Sequence, residues 1–282
     1  MSRSQIDLPI NESAAESLEQ SDADSGVPQF DRFSFMDISI NCLSLSDLMN
    51  LVKFGIEKKK KWVIGNHNLH SLYLFHKSPA LRQFFSIADW VHVDGMPIVA
   101  LARLFGHPIN REHRVTYADW TGKLMEGAAQ NGWRVFYLGS EEATLAKALL
   151  ILRAQYPGLL IEGRNGFFNV ATTGVENRAV LDAIAAYQPN LLMIGMSMPR
   201  QEIWINANLE EINANVILPS GAAIAYVAGQ IPTPPRWAGK IGLEWAFRLA
   251  AEPRRLASRY LIEPWSILRI LLYELAFQRG KQ

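Results

Sequence analysis

Asp89-Trp90-Val91-His92-Val93-Asp94-Gly95-Met96-Pro97 is the stretch on which the reading of the fold turns. Trp90 to Val93 is a short apolar run with β-branched residues, the pattern of a buried strand. Asp94-Gly95 breaks it, and 96–105 (MPIVALARLF) reads as a helix with Pro97 in its first turn. A carboxylate at the carboxyl end of a parallel strand faces the crevice where open α/β sheets bind ligands. The same two residues also make good turn chemistry, with Asp94 capping the next helix. Both readings stand on the local sequence.

The strand–turn–helix unit recurs on either side. Phe33 to Ile40 reads as one strand, followed by a helix to about Lys58 capped by Ser44 or Ser46. Trp62-Val63-Ile64 is a second strand, ending in Gly65-Asn66-His67-Asn68, whose asparagines can bond a polyol or serve as turn and cap residues. His67 is expected in the loop. After the polar segment 107–119 come a helix to about Gln130 and the strand Trp133 to Leu138, which runs into Gly139-Ser140-Glu141. A glycine between strand and helix can expose free N–H groups to a phosphate, but tight turns use glycine anyway. Helix 141–155, strand Leu159 to Glu162, helix 175–187 and strand Leu191 to Gly195 follow. Pro199 then opens a helix that brings Arg200, Gln201 and Glu202 to the mouth of the sheet holding Asp94. Val216-Ile217-Leu218 is the last strand, with a small-residue helix from Gly221 to Gly229. The alternation is that of an α/β fold, a Rossmann-like, mostly parallel sheet with helices on both faces.

The ends differ in charge, although 28 basic and 27 acidic residues nearly balance overall. Residues 1–32 are expected to be a disordered acidic tail: up to residue 30 it has one basic residue against six acidic ones. Its Asp22-Ala23-Asp24 is rejected as a metal site, because no strand precedes it. Residues 33–231 form the sheet domain. Beyond Pro232, the segment 232–282 reads as a helical appendage, with nine basic residues against four acidic ones from Arg236 on and with interleaved aromatic and aliphatic residues. That suits a peripheral element on an anionic membrane surface, or helices packed on the sheet or a second subunit. A net charge of +1 gives no argument for nucleic acid, and Lys58 to Lys61 reads as a solvated helix end. Cys42 is the only cysteine, which rules out an internal disulfide and fits a reducing compartment. No apolar run reaches the roughly eighteen residues of a spanning helix and no secretory signal is seen, so a cytoplasmic location is expected. The six histidines show no paired ligand spacing.

Seven blocks carry a family resemblance: the asparagine loop at 66–68, VDG at 93–95, RVTYAD at 114–119, FYLGS at 136–140, YPGL at 156–159, GMSMPRQEIW at 195–204 and GLEWAFRLAAEPRRLASRYL at 242–261. In this order and spacing they resemble the WecG/TagA/CpsF group of bacterial glycosyltransferases (glycosyltransferase family 26) over residues 33–262. The resemblance implies an inverting, metal-independent hexosyltransferase with no cofactor. It would move a sugar from a UDP-sugar to a polyprenyl-diphosphate-linked saccharide in cell-surface or exopolysaccharide synthesis, at the inner face of the cytoplasmic membrane. It assigns Asp94 as general base and Arg114 as a catalytic cation, joined by one or more of Arg248, Arg254, Arg255 and Arg259. Asn66, Asn68, Thr116, Asp119, Gly139 and Gln201 are the matching substrate-binding candidates. The sequence departs from the family pattern in four places: Tyr117 stands where glycine is usual, Ala225 lacks a carboxylate, Thr233-Pro234-Pro235 replaces Arg-Ala-Pro, and Asn66 stands where threonine is frequent. These put donor identity in doubt, between N-acetylmannosamine, a uronic acid and glucose. Monomer–dimer exchange is a further expectation, because a displaced amphipathic end needs another apolar surface.

Two other classes compete. A Rossmann-type oxidoreductase would need the glycine fingerprint after the first strand and an acidic ribose ligand about twenty residues on, and both are missing. A non-catalytic scaffold of a polysaccharide assembly complex would not depend on the Asp94 carboxylate.

Overall fold

Eight strands appear where β-branched and aromatic runs were read, with one difference at the start. Phe33 to Ile40, expected as one strand, is a hairpin of β1 (Arg32–Phe35) and β2 (Ile38–Asn41). Met36 and Asp37 turn it with φ of 49° and 60°, the left-handed conformation that a two-residue hairpin requires. Neither is glycine or asparagine, so the usual turn signature is missing from the sequence.

The computed structural model describes residues 26–232 and 244–279, apart from the side chains of Glu244, Arg255 and 277–279. The acidic tail up to residue 25, with its Asp22-Ala23-Asp24, and the Thr233-Pro234-Pro235 segment lie outside the described residues. From Asp31 on, the described residues form one compact unit.

The main sheet holds β3 (Trp62–His67), β4 (Trp90–Val93), β5 (Arg134–Gly139), β6 (Leu160–Arg164), β7 (Leu191–Gly195) and β8 (Val216–Pro219). All pairings are parallel, in the order β4-β3-β8-β7-β5-β6. Helices cover both faces: α1 (Leu45–Glu57), α2 (Leu69–Lys77), α3 (Pro79–Ile87), α4 (Met96–Leu104), α5 (Tyr117–Asn131), α6 (Glu142–Gln155), α7 (Val175–Tyr187), α8 (Arg200–Asn208) and the short α9 (Ala223–Val227). Helices α2 and α3 lie between β3 and β4, where no helix is expected from the sequence.

Period-2 alternation divides the strand residues between the faces. Val63, Val91, Phe136, Leu138, Leu192, Ile194 and Ile217 meet Leu81 and Phe84 of α3, Val180 and Ile184 of α7, and Trp204 and Ile205 of α8 in one core. On the other face Gly55 of α1 lies against Trp62 and Val216, and Trp120 of α5 points its Nε1 at Met49 Sδ, 3.2 Å away. Trp204 is fully buried, and its Nε1 donates to Asn177 Oδ1 (2.7 Å). Asn177 Nδ2 in turn donates to Asn208 Oδ1 (2.8 Å). Leaving any one of these buried groups unpaired would cost ~1–3 kcal/mol, so the network fixes α8, whose first turn carries Gln201 and Glu202.

The chain after β3 reaches the first face through α3, whereas the chain after β8 enters α9, beside α5 and α6. Adjacent strands whose connections diverge leave a crevice at their carboxyl ends. The outer side of β4 is occupied as well. Asn41 Oδ1 accepts from Val91 N–H (2.9 Å), and Val115 N–H donates to Val93 O (2.9 Å).

The C-terminal helices α10 (Glu244–Ala251), α11 (Pro253–Ala257) and α12 (Glu263–Arg279), with a π-helical turn at Ser258–Ile262, pack onto this domain. Leu256 and Ile267 are buried, and Ile267 joins the core of the hairpin and α4. His70 of α2 meets Glu263 at 2.7 Å (Nδ1 to Oε2).

Candidate active site

Asp94 follows β4 directly, with its N–H donating to His67 O (2.8 Å). It does not cap α4. The N-cap is Gly95, at a φ of 141° that an L-residue rarely adopts, and no side chain bonds the helix start. The Asp94 carboxylate is therefore free for other work. Burial pushes its pKa above the ordinary value. The guanidinium groups of Arg248 and Arg259, a hydrogen bond from the Asn68 side chain, and Arg114 pull it back.

Each neighbour has its own local cause. Asn68 is the N-cap of α2: Oδ1 accepts from Ser71 N–H (3.0 Å), and Ser71 Oγ accepts from Asn68 N–H (2.8 Å). The same Oδ1 accepts from Arg259 Nη2 (3.2 Å), which leaves the amide nitrogen to donate to Asp94. Capping and ligand-type chemistry, alternatives in the sequence, are thus combined in one residue. Arg114 is set beside Asp94 by a parallel bridge between Val93 and Arg114, which extends the sheet beyond β4. Arg114 Nη2 (3.0 Å) and Thr116 Oγ1 (3.1 Å) both donate to Asp119 Oδ2. Thr116 and Asp119 therefore orient Arg114 from the start of α5. Arg248 of α10 also lies over the ring of Tyr226 (5.9 Å to the centroid), beside the crevice.

The remaining sequence candidates separate. Asn66 is buried with Nδ2 donating to Pro219 O (3.1 Å), a tie between β3 and β8 at the crevice floor. Gln201 is buried; its Oε1 accepts from Gly221 N–H (3.2 Å) and its Nε2 donates to Glu202 Oε1 (2.8 Å). Gly139, at φ 156°, is held by packing: a Cβ there would strike Gly195 O. Arg254 is exposed, and the side chain of Arg255 lies outside the described residues. His67, expected in a loop, is the buried last residue of β3 and stacks on Phe85 with 3.8 Å between centroids. Pro199 is the N-cap of α8, one residue before the expected place.

Burial shifts four further titratable side chains. Glu202 is 1% exposed, and burial pushes its pKa up to about 7 against the Gln201 hydrogen bond. Tyr117 is buried beside Asp94, Tyr137 and Glu202, and burial raises its hydroxyl well above the usual range. His67 and His92 are held neutral, their pKa values lowered by burial to about 3 and about 4. The only sequence signal for Glu202 was its place after Pro199. For Tyr117 the signal is its place in RVTYAD, where glycine is usual, although its burial is not legible there.

Among the described residues no group of three His, Cys, Asp or Glu side chains is placed to hold a metal ion. None of the described helices is long and apolar enough to cross a membrane. A carboxylate with guanidinium groups near it thus lies at the carboxyl end of a doubly wound α/β sheet, where such folds bind ligands and where cations can meet an anionic one.

Comparison with known proteins agrees. Residues 33–281 match the description of the Glycosyl transferase WecG/TagA/CpsF family, and the chain belongs to this family of glycosyltransferases. It is 26% identical over 201 residues to the N-acetylglucosaminyldiphosphoundecaprenol N-acetyl-beta-D-mannosaminyltransferase of Bacillus spizizenii, a match covering 71% of this chain and 75% of that protein. To the enzyme of the same name from Staphylococcus aureus (strain NCTC 8325) it is 21% identical over 220 residues, covering 74% and 84%.

Proposed function

We propose that this chain transfers a sugar from a UDP-sugar to a polyprenyl-diphosphate-linked saccharide, with inversion at the anomeric carbon and without a metal. The observation that carries this reading is the setting of Asp94 among Asn68, Arg114, Arg248 and Arg259. The acceptor hydroxyl attacks the anomeric carbon on the face opposite UDP, and Asp94 takes its proton. A carboxylate whose pKa is raised by burial is the better base for that step. The C1–O bond to UDP breaks, and the leaving diphosphate gains negative charge that Arg248, Arg259 and Arg114 stabilise without a metal.

The acceptor is a lipid, and the C-terminal helices supply a surface for it. Leu261, Ile262, Trp265, Leu268, Leu272 and Tyr273 are exposed, spaced along one side of the α12 region opposite buried Ile267. Such a face seats in the interface of an anionic membrane, with basic residues such as Arg269 alongside. The same segment delivers Arg248 and Arg259, so docking and completion of the site are coupled.

The test is UDP release from full-length protein in lipid, given a polyprenyl-diphosphate-linked monosaccharide and a panel of UDP-sugars, with and without EDTA. Release that needs both lipid acceptor and one donor, unchanged by EDTA, supports the reading. Strict dependence on a divalent metal would refute the mechanism, and NAD(P) binding in place of UDP would refute the UDP-sugar donor.

A further inference from the structure

Tyr117, near Asp94, and Glu202, near Tyr117, are among the buried groups with a polar atom that has no hydrogen-bond partner among the described residues. Tyr117, 7% exposed, has its ring stacked on Trp120 (5.4 Å between centroids) and edge-on to His92 (6.4 Å). Its hydroxyl bonds to nothing among the described residues. Glu202, 1% exposed, receives Gln201 Nε2 on Oε1, while Oε2 has no partner there. They come from different elements, α5 and α8, yet lie close enough to act on each other by charge: after burial, the groups acting on the Tyr117 hydroxyl are Asp94, then Tyr137, then Glu202. Tyr137 closes the group from below, with its hydroxyl donating to Gly221 O (3.1 Å).

Native proteins rarely bury polar atoms without partners, and exceptions call for an explanation. Both groups are held in place, Tyr117 by its two aromatic neighbours and Glu202 by the Gln201–Gly221 link, so neither turns away to satisfy itself. A phenol and a carboxyl group together donate to and accept from hydroxyl groups. The diphosphate is not their ligand, since Glu202 adds negative charge and the guanidinium groups sit elsewhere around Asp94. A sugar ring with its anomeric carbon at Asp94 would extend its other carbons toward Tyr117 and, beyond it, Glu202.

We propose that Tyr117 and Glu202 bind hydroxyl groups of the transferred sugar and favour a neutral sugar over a uronic acid, whose carboxylate would face both Asp94 and Glu202. This rests on the UDP-sugar reading given above and narrows it.

The test is calorimetric binding of UDP, UDP-glucose, UDP-N-acetylmannosamine and UDP-glucuronic acid to full-length protein, without acceptor. Wild type is compared with Tyr117→Phe and Glu202→Gln, both near-isosteric and checked by thermal melting. The expected result is a wild type that binds a neutral UDP-sugar more tightly than UDP-glucuronic acid. Each variant weakens the neutral UDP-sugar by ~10-fold or more while UDP stays within about twofold, and Glu202→Gln narrows the discrimination against UDP-glucuronic acid. Equal loss of UDP and UDP-sugar, or no loss in either folded variant, overturns the proposal and leaves the UDP-sugar reading in place. A wild type that binds no UDP overturns that reading, and this proposal with it.

Discussion

Arg259 Nη2 donates to Asn68 Oδ1 at 3.2 Å, across 191 residues of sequence. One end is the N-cap of the helix after β3 and the other is the π-helical turn before α12. The donor that fixes the Asp94 carboxylate is therefore itself held by the C-terminal segment.

Arg259→Ala should lower kcat/KM by ~10²–10³, the usual loss on removing a donor aimed at developing charge. Arg254→Ala, on an exposed side chain of α11, should stay within about twofold. Steady-state UDP release with lipid acceptor measures both. Equal losses would mean that general basicity of the segment is what matters.

Asp94→Asn should keep the fold and UDP binding but lower kcat by ~10²–10⁴, as for loss of a general base. Asn is nearly isosteric and still accepts from Asn68. Turnover near wild type would remove Asp94 from the proton-transfer step.

Leu272→Glu and Trp265→Ala should each weaken co-sedimentation with anionic vesicles by ~10-fold, from the ~1.5–3 kcal/mol of apolar burial lost per large side chain. Both residues are more than half exposed, so melting temperature and UDP affinity should hold. Unchanged sedimentation would place the membrane contact on another face.

Acid should destabilise the fold through His67 and His92. Their folded pKa values of about 3 and about 4 lie below the ordinary 6.5, so the unfolded chain binds more protons as pH drops below 6.5. Each histidine then removes ~1.4 kcal/mol per pH unit down toward its folded value. Glu202 runs the other way. Its pKa is raised from 4.5 to about 7, so its stabilising share is present at low pH and lost as pH rises through 7. Urea midpoints between pH 6.5 and 4.5 should fall less steeply in His92→Phe, by about one proton's worth. An unaltered slope would show that His92 is not the group responsible.

Much of this was legible in sequence where one signal dominated. Trp90–Val93, Val175–Tyr187 and Leu191–Gly195 occur at the boundaries that their apolar patterns indicated. Asp94, Asn68, Arg114, Arg248 and Arg259, named from motifs, are brought together. The failures have physical reasons. The β1–β2 turn uses non-glycine residues at positive φ, so nothing punctuates it. Helix α2 mixes His70, His76 and Lys77 among its apolar residues, and Pro79 follows at once, so the two short helices carry no clear helical signal. Among the arginines, only packing separates Arg259 from Arg254, five residues apart. That Glu202 Oε2 and the Tyr117 hydroxyl are buried with no partner among the described residues is a property of the fold that no local pattern encodes.

The hairpin contact described above has a bearing on solubility. β4 is one of the two edge strands of the sheet, and an edge strand with unpaired N–H and C=O groups is a template for pairing with another chain. Here Asn41 occupies the outward N–H of Val91, and Val115 occupies the outward carbonyl of Val93. The small hairpin and the loop that delivers Arg114 thus seal the edge of the strand leading to Asp94. The open end of the sheet can then serve chemistry while its flank resists aggregation.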